Sequence, residues 1–215
     1  MDTYRHRGQR RQLIDELRAT GRFSEKVLKV MGIIPRHAFL ESGFHGWAYR
    51  DEAFPIDCDQ TISQPSTVAW QSTELQVLPR QHVLEIGTGS GYQAAVLSVL
   101  GGRVFTVERH APLYKKAKLT LKKLRLDHIR CFLRDGNKGL PEFAPFDRIM
   151  ATAGAESVPE KLKEQLKVGG IMIIPVGPEG KEQRLLKIVR TSKDNWTEED
   201  LGSCQFVPFA QGLVK

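Results

Sequence analysis

Three glycines and a later glutamate have the residue types and spacing of a nucleotide-binding turn. Gly87, Gly89 and Gly91 lie in VLEIGTGSGYQAA, between an apolar run and a helical pattern. Glycine permits tight turns and close backbone approach, and a helix start offers free N–H groups. Glu108 ends the next apolar run, where a carboxylate can bind the two ribose hydroxyls of an adenosine. This combination predicts an adenosine cofactor rather than a purely structural turn.

The charge beside the turn indicates which adenosine cofactor binds. Glu85 precedes Gly87 by two residues, and a carboxylate there would repel the pyrophosphate of a dinucleotide. S-adenosylmethionine carries an ammonium and a sulfonium group, so acids on both sides of the turn are compatible with it. The glycine spacing also departs from the G-x-G-x-x-G of dinucleotide enzymes. We therefore predict S-adenosylmethionine as the cofactor.

A third candidate contact follows the third predicted strand, in CFLRDGNKG. Asp135 and Gly136 stand where a polar residue can meet the adenine amino group. An Asp-Gly pair also makes ordinary turns, because the Asp side chain can bond to the backbone two residues on. The position in the strand order favours adenine contact, and the simple turn stays open as the alternative.

The segment ATAGAES, after the fourth predicted strand, bears on the methyl acceptor. It lacks the Asn or Asp, two prolines and aromatic residue that orient an attacking amine, and it has no cysteine for ring methylation. The six histidines are scattered without metal-ligand spacing, so the sequence predicts no metal site. What remains is a reaction that requires mainly binding and geometry from the protein.

Short apolar runs alternate with helical patterns from residue 82 onward. This alternation predicts an α/β fold of the Rossmann-like type, with a mostly parallel doubly wound sheet. RLLKIVR and GSCQFVPF are expected to finish the sheet as antiparallel strands. The predicted strands are 82–86, 103–108, 129–133, 146–152, 169–176, 184–190 and 202–209, and the predicted helices of this part are 91–100, 109–125 and 158–166.

The N-terminal part shows helical patterns over residues 9–20 and 24–32, together with loops. We divide the chain into an N-terminal helical region, 1–80, and a cofactor-binding core, 81–215, and expect the two to pack as one compact domain. A chain of 215 residues is long enough to bury one substantial core.

Composition and charge restrict the cellular context and the partners. The longest apolar runs are too short to span a bilayer, and no apolar segment follows the basic N-terminus, so membrane and secretory signals are not expected. The three cysteines are widely spaced and lack a C-x-x-C pair, which indicates a reducing compartment. We predict a cytoplasmic protein without a membrane partner.

The net charge of +7 raises the question of nucleic-acid binding. Seven Lys or Arg residues and no acid occur between Arg109 and Arg125, where Leu113, Ala117 and Leu121 recur at helical spacing. The pattern predicts an amphipathic helix whose basic side faces solvent. Aromatic residues are not interleaved with the charges as single-strand binders require, so we do not expect nucleic acid as a partner.

Five segments occur in the order and spacing of one known family. They are QTISQP at residues 60–65, VLEIGTGSGYQAA, VERH, LKVGGIMIIPVG and FVPF, and the chain resembles the protein-L-isoaspartate O-methyltransferases over nearly its whole length. The resemblance implies a class I methyltransferase that methylates the free α-carboxyl of L-isoaspartyl residues in damaged proteins or peptides. The ester then cyclises to a succinimide that can reopen as normal aspartate.

The resemblance also implies roles for individual residues. Ser63 would be the catalytic, carboxyl-orienting hydroxyl. The cofactor-binding set is Thr61, Ile62, Glu85, Gly87, Thr88, Gly89, Ser90, Gly91, Glu108, Arg109, Asp135 and Gly136, and the substrate-binding set is Gln64, Pro65, Val207, Pro208 and Phe209. The chain departs from the family pattern at Arg134, at Ser66 and at Phe209 with the following Ala210.

The uncharged character of residues 60–71 fits this chemistry. A carboxylate with a pKa near 4 is already a nucleophile at neutral pH, so no general base is required. An acid in the run would repel the carboxylate, and a lysine or arginine would compete with the sulfonium. Ser63 and Thr61 could also cap a helix that begins at Pro65.

Two other classes stay open from the sequence, and both keep the fold and the cofactor pocket. One is a methyltransferase that acts on RNA or a small metabolite, and the other is a non-catalytic adaptor that binds S-adenosylmethionine. We expect isoaspartyl-containing proteins and peptides as partners, and a monomer.

Overall fold

The computed structural model describes residues 2–178, 180–210 and 212–214, and its N-terminal part is helical. Helix α1 spans Tyr4–Ala19 and α2 spans Glu25–Ile33. Helix α1 begins earlier than the predicted residue 9 because Thr3 caps it: the Thr3 hydroxyl accepts a hydrogen bond from the backbone N–H of His6 at 3.2 Å.

The connection from α2 to the core contains short elements that the sequence did not indicate. Two 3₁₀ helices, Arg36–Phe39 and Ser42–Trp47, precede a small antiparallel pair of strands, β1 (Phe54–Pro55) and β2 (Thr61–Ile62). Helix α3 follows at Pro65–Leu75 and begins at the proline, as predicted. The uncharged run of residues 60–71 is therefore divided between a strand and a helix.

A 7-stranded sheet forms the centre of the molecule, in the order β5-β4-β3-β6-β7-β8-β9. The strands from β3 to β7 are parallel, and β8 and β9 are antiparallel to their neighbours. The predicted mostly parallel fold with antiparallel C-terminal strands is confirmed. The strands are β3 (His82–Ile86), β4 (Arg103–Glu108), β5 (Arg130–Leu133), β6 (Phe146–Ala151), β7 (Leu166–Val176), β8 (Gln183–Arg190) and β9 (Trp196–Cys204).

The last strand lies earlier in the chain than predicted. The prediction placed it at 202–209, but β9 is Trp196–Cys204, so the charged segment WTEED belongs to it. A run of charged residues is typical of a loop, but an edge strand can also carry charged side chains because it exposes them to solvent. Beyond Cys204 the chain leaves the sheet and crosses the cleft described below.

Helices α4 (Tyr92–Val99), α5 (Ala111–Lys123) and α6 (Glu160–Gln165) connect the parallel strands. The predicted amphipathic character of α5 is confirmed, since its buried residues are Leu113, Ala117 and Leu121. None of the described helices is long and apolar enough to cross a membrane.

Buried apolar residues form a cluster on each side of the sheet. One cluster joins the N-terminal helices to the core, because Leu13, Leu28 and Leu75 belong to it together with Val83 and Ile173 of the sheet. The other lies between the opposite face of the sheet and α6. The strand order reverses at β3, whose neighbours β4 and β6 begin opposite halves of the sheet, and such a point opens a crevice at the carboxyl ends of the strands.

Candidate active site

An open cleft lies at the carboxyl ends of the central strands, where the strand order reverses. It encloses about 790 Å³, including its open mouth, and is lined mainly by residues 60–63, 86–90, 107–110 and 207–210. All four of these segments contain predicted site residues from separate motifs, and the structure brings them to one cavity.

The turn after β3 needs glycine for steric reasons. Gly87 has a φ of 95°, and a Cβ atom there would overlap the Oγ1 of Thr152. That hydroxyl donates a hydrogen bond to the carbonyl of Gly87 at 2.7 Å, so the loops after β3 and β6 touch directly. The backbone N–H groups of Gly87 and Thr88 both donate to the carbonyl of Val107, at 2.8 and 3.1 Å. The turn is thus held by backbone bonds to β4 and by the side chain of Thr152, which follows β6.

Gly91 serves helix packing and does not line the cleft. It precedes α4 with a φ of 89°, and a Cβ atom there would approach Ala117 and Leu121 of α5 at 3.4 and 3.5 Å. Of the three motif glycines, Gly87 and Gly89 are therefore the ones on the cleft wall.

Glu108 lines the cleft and is oriented by backbone amides. Its Oε1 accepts from the N–H groups of Arg109 and His110 at 2.8 and 2.9 Å, and the Nδ1 of His110 lies 3.2 Å away. Its Oε2 accepts from the N–H of Gly89 at 2.8 Å. Each carboxylate oxygen has about two lone-pair sites, so Oε2 keeps capacity for a further donor such as a ribose hydroxyl.

Glu85 does not line the cleft, because its side chain is completely buried beneath the turn. Its Oε2 accepts from the Thr106 hydroxyl at 2.5 Å, and that hydroxyl also lies 2.6 Å from the hydroxyl of Thr88. Burial raises the pKa of Glu85 to about 8, against the opposing effect of the Thr106 bond. At neutral pH the group is mostly uncharged, so the argument that it would repel a pyrophosphate was wrong.

The uncharged wall of the cleft comes from β2 and the residues beside it. Thr61, Ile62 and Ser63 line the cavity, and the pairing of β2 with β1 holds them at its edge. The Ser63 side chain is half-buried, and its hydroxyl has no hydrogen-bond partner among the described residues. A free hydroxyl at this place can donate to an incoming anion.

The start of α3 is not capped by Ser63 or Thr61. The cap residue Gln64 makes no side-chain cap bond, and the N–H of Ser66 donates instead to the Asp51 carboxylate at 2.7 Å. The Gln64 amide donates to the Ser66 hydroxyl at 2.7 Å. Neither Gln64 nor Pro65, both predicted substrate ligands, lines the cleft.

The C-terminal segment that follows β9 forms the opposite wall. The N–H of Gly154 donates to the carbonyl of Val207, and the N–H of Phe209 donates to the carbonyl of Gly154, both at 2.8 Å. The buried Gln183 side chain bonds both backbone groups of Phe206, accepting at 2.9 Å and donating at 3.1 Å. Val207, Pro208 and Phe209 all line the cleft, as expected of a substrate wall.

Asp135 makes a turn, whereas its neighbour Gly136 lines the cleft. The Asp135 carboxylate accepts from the N–H of Asn137 at 3.0 Å and from the N–H of Gly212 at 3.2 Å. Partial burial would raise the pKa of Asp135, but these two amides outweigh burial and lower it. The geometry matches the alternative of a simple Asp-Gly turn, and adenine contact by Asp135 stays a prediction.

Several lining residues were not predicted, although some stand inside the motifs. Ile86 and Val107 are the carboxyl ends of β3 and β4, and His110 completes VERH, so strand-end position could have indicated them. For the remaining unpredicted residues, nothing in the sequence indicated that they would line a cleft. The unpredicted lining residues are Gln60, Val68, Ile86, Tyr92, Gln93, Val107, His110, Thr152, Ala153 and Ala210.

The strand order, the glycine turn and the acidic residue at the end of β4 define a class I methyltransferase that uses S-adenosylmethionine. Residues 8–213 match the family model described as protein-L-isoaspartate(D-aspartate) O-methyltransferase. The chain belongs to this family, and the resemblance noted in the sequence is confirmed.

Individual relatives agree with the family match. A protein-L-isoaspartate O-methyltransferase of Christiangramia forsetii is 49% identical over 210 residues, which cover 98% of each chain. A solved protein-L-isoaspartate O-methyltransferase is 30% identical, with a TM-score of 0.85 over 94% of this chain and 66% of that one. A Plasmodium falciparum structure described as a complex with S-adenosyl-L-homocysteine is 23% identical, with a TM-score of 0.82 over 93% and 97%, and supports the fold.

Proposed function

We propose that the chain transfers a methyl group from S-adenosylmethionine to the free α-carboxyl of L-isoaspartyl residues in damaged proteins and peptides. The family membership supports the activity. The observation that carries the proposal is that the uncharged wall, Thr61–Ser63, and the cofactor turn with Glu108 line the same cleft. Methyl donor and carboxylate acceptor can therefore be held side by side.

The acceptor requires orientation more than activation. A carboxylate is ionised at neutral pH, so the protein needs to hold it in line with the donor and exclude water. Positioning can contribute about 7–11 kcal/mol, whereas one hydrogen bond to a charged group contributes about 1.5–3 kcal/mol. We assign Ser63 the role of an orienting donor, because its hydroxyl has no hydrogen-bond partner among the described residues and its neighbours on this wall, Gln60 to Ile62, are uncharged.

The residues on the opposite side of the turn fit the cofactor. S-adenosylmethionine supplies the methyl group on its sulfonium. The free capacity of Glu108 Oε2 suits a ribose hydroxyl, and the partly buried turn of Gly87 to Ser90 suits the amino-acid part. Gly136 lines the same cleft and packs closely against Ile86 and Phe209, so the adenine ring is assigned to the wall that these residues form. Arg109 lines the same end of the cleft.

The substrate backbone is assigned to the C-terminal wall. Val207, Pro208 and Phe209 line the cleft and are anchored from behind by Gly154 and Gln183. Phe209, together with Ala210, gives this wall a bulkier residue than the leucine that is common in the family. We propose that this difference affects which residues flank the isoaspartate in preferred substrates.

We further propose that residues 1–80 and 81–215 act as one compact domain, in a monomeric cytoplasmic protein. The shared buried cluster supports the single domain. The basic side of α5 supports solvent exposure rather than phosphate binding, since Lys116 is already paired with the carboxylates of Glu41 and Asp57.

The test is incubation with labelled S-adenosylmethionine and two peptides that differ only in isoaspartate against aspartate. We expect base-labile label on the isoaspartyl peptide alone, because a methyl ester is hydrolysed by base. Absence of label from both peptides would refute the proposal. Labelling of a tRNA substrate would instead support the alternative methyltransferase.

A further inference from the structure

Three histidines from separate segments converge near the start of α1. His6 lies in the first turns of α1, His37 in the first 3₁₀ helix and His45 in the second. The rings of His6 and His37 stack with centroids 3.8 Å apart, and the ring of His45 lies 5.5 Å from that of His37. None of the three lines the cleft, so the proposed methyl transfer does not use them.

A carboxylate completes a set of possible metal ligands. One ligand atom from each of Asp2, His6 and His37 lies within 4.8 Å of the other two. Two imidazoles and a carboxylate are a recurrent donor set for zinc, and such nitrogen donors favour transition metals over Mg²⁺ or Ca²⁺. The sequence gave no sign of this group because His37 lies far along the chain from Asp2 and His6.

One atom of the group lacks a partner in the described structure. The Nδ1 of His6 is buried and has no hydrogen bond among the described residues. Buried polar atoms are normally satisfied, and one that is not calls for an explanation such as a missing ion. We propose that Asp2, His6 and His37 bind one divalent transition metal ion, with Zn²⁺ as the best match.

Neighbouring side chains orient two of the ligands. The Nδ1 of His37 lies 2.8 Å from the Tyr49 hydroxyl, which leaves Nε2 of that ring for a metal. Arg10 donates to the Tyr49 hydroxyl at 3.0 Å and to the Asp2 carboxylate at 2.9 Å. Arg10 therefore orients the Asp2 carboxylate directly, and it orients the His37 ring through the Tyr49 hydroxyl.

Arg10 also limits how tightly this group can hold a cation. Its guanidinium donates to the Asp2 carboxylate at 2.9 Å and therefore competes with a metal ion for that ligand. Because Arg10 also adds positive charge, we expect micromolar affinity rather than the tighter binding of cysteine-rich zinc sites.

The test uses the full chain without any tag and two probes, Co²⁺ and Zn²⁺. We expect one Co²⁺ per chain with visible d–d absorption bands, displacement of Co²⁺ by Zn²⁺, and a Zn²⁺ isotherm in calorimetry. At a free Zn²⁺ concentration of about 100 times Kd, the Tm should rise by about 5–10 °C for a chain of this size.

Variants locate the ion. His6→Ala, at a half-buried position, should weaken Zn²⁺ binding at least about tenfold and remove the Co²⁺ bands. His37→Ala should do the same, with its fold checked by circular dichroism. The matched control is His128→Ala, which removes an exposed histidine outside the group and should leave both signals unchanged.

Two results would overturn the proposal. The first is the absence of Co²⁺ and Zn²⁺ binding by the wild-type chain at concentrations up to about 1 mM, which is far above the affinity that three such ligands should give. The second is binding that His6→Ala retains at wild-type affinity. These results are independent of the peptide-methylation assay, so failure here leaves the proposed function untouched.

Discussion

The two sides of the cleft are constructed in different ways. The cofactor side consists of turns at the ends of adjacent parallel strands, held by backbone bonds such as that from Gly87 to Val107. The acceptor side consists of segments outside the parallel core, residues 60–63 and 207–210, which are held by short backbone contacts to β1 and Gly154 and by the side chain of Gln183. The cofactor side should thus tolerate little backbone change, whereas the acceptor side depends on a few replaceable contacts.

The largest effect should follow from Gly87→Ala, which tests the cofactor side. The new Cβ atom would overlap Thr152 and impose a positive φ on a residue with a side chain, at a cost of about 1–3 kcal/mol before the overlap is counted. We expect affinity for S-adenosylmethionine to fall at least about 100-fold in calorimetry, equivalent to about 2.7 kcal/mol.

The control for that variant is Gly169→Ala. Gly169 also has a positive φ, 79°, but no atom lies within 4 Å of the added Cβ. The Gly169→Ala variant should lose stability through backbone strain alone and keep its affinity for S-adenosylmethionine. Equal loss of affinity in both variants would mean that contact with Thr152 is not what makes Gly87 necessary.

The next largest effect should follow from Ser63→Ala on the acceptor side. Loss of one hydrogen bond to a charged group should lower kcat/KM for an isoaspartyl peptide by roughly ten- to a hundred-fold. Cofactor affinity should change little, because the turn is untouched. Steady-state kinetics would separate the effect on the peptide reaction from any effect on cofactor binding. The control is Ser66→Ala, which removes a serine of α3 outside the cleft. Full activity of Ser63→Ala would show the assigned role to be wrong.

A smaller effect should follow from Gln183→Ala, which removes both bonds to Phe206. A neutral hydrogen bond contributes about 0.5–1.5 kcal/mol, so at about 0.7 kcal/mol for each of the two bonds we expect KM for the peptide to rise about tenfold without a change in cofactor affinity.

Gln165→Ala should have the opposite pattern of effects on cofactor affinity and peptide KM. Gln165 bonds Leu140 and Lys138 beside Gly136, so its loss should weaken cofactor binding and spare the peptide KM.

The smallest effect on activity should follow from Glu85→Gln, with less than about a threefold change at pH 7, because the buried acid is already mostly uncharged there. Its folded-state pKa of about 8 lies above the unfolded value, so the folded protein binds more protons than the unfolded chain between about pH 4.5 and 8. Wild-type stability should therefore fall as pH rises through this range.

The variant provides its own control for that pH dependence. Glutamine cannot ionise, so Glu85→Gln should lose less stability than the wild type between pH 6 and pH 8 in urea denaturation. Parallel stability curves for the two proteins would show that Glu85 is ionised in the folded state, and would restore its role as a charge beneath the turn.

The sequence predicted the cofactor side better than the acceptor side, for a physical reason. Parallel strands joined by helices have strong periodicity, and their carboxyl ends must meet at one edge, so Gly87 and Glu108 could be placed before any coordinates were known. The acceptor residues carry no such pattern, and Ser63 and Val207 were found only through the family resemblance.

The errors share one cause, which is that local patterns do not report tertiary partners. Trp196–Cys204 is a strand because β8 offers it an edge, not because its residues alternate. Glu85 is mostly neutral because complete burial raises its pKa, despite the hydrogen bond from Thr106, and Asp135 is held by an amide from the C-terminal segment. The grouping of His6 with His37 depends in the same way on a fold that spacing cannot reveal.

The attachment of Phe206 to Gln183 also determines where this chain can change in length. Gln183 and Phe206 lie at the end of the β8–β9 hairpin that is nearest the cleft. The tip of the hairpin lies at the other end, where the N–H of Thr191 donates to the carbonyl of Asn195 at 2.9 Å. Insertions at the tip should therefore leave catalysis intact. A single deletion between Cys204 and Val207 should abolish it, so natural length variation is expected at the tip alone.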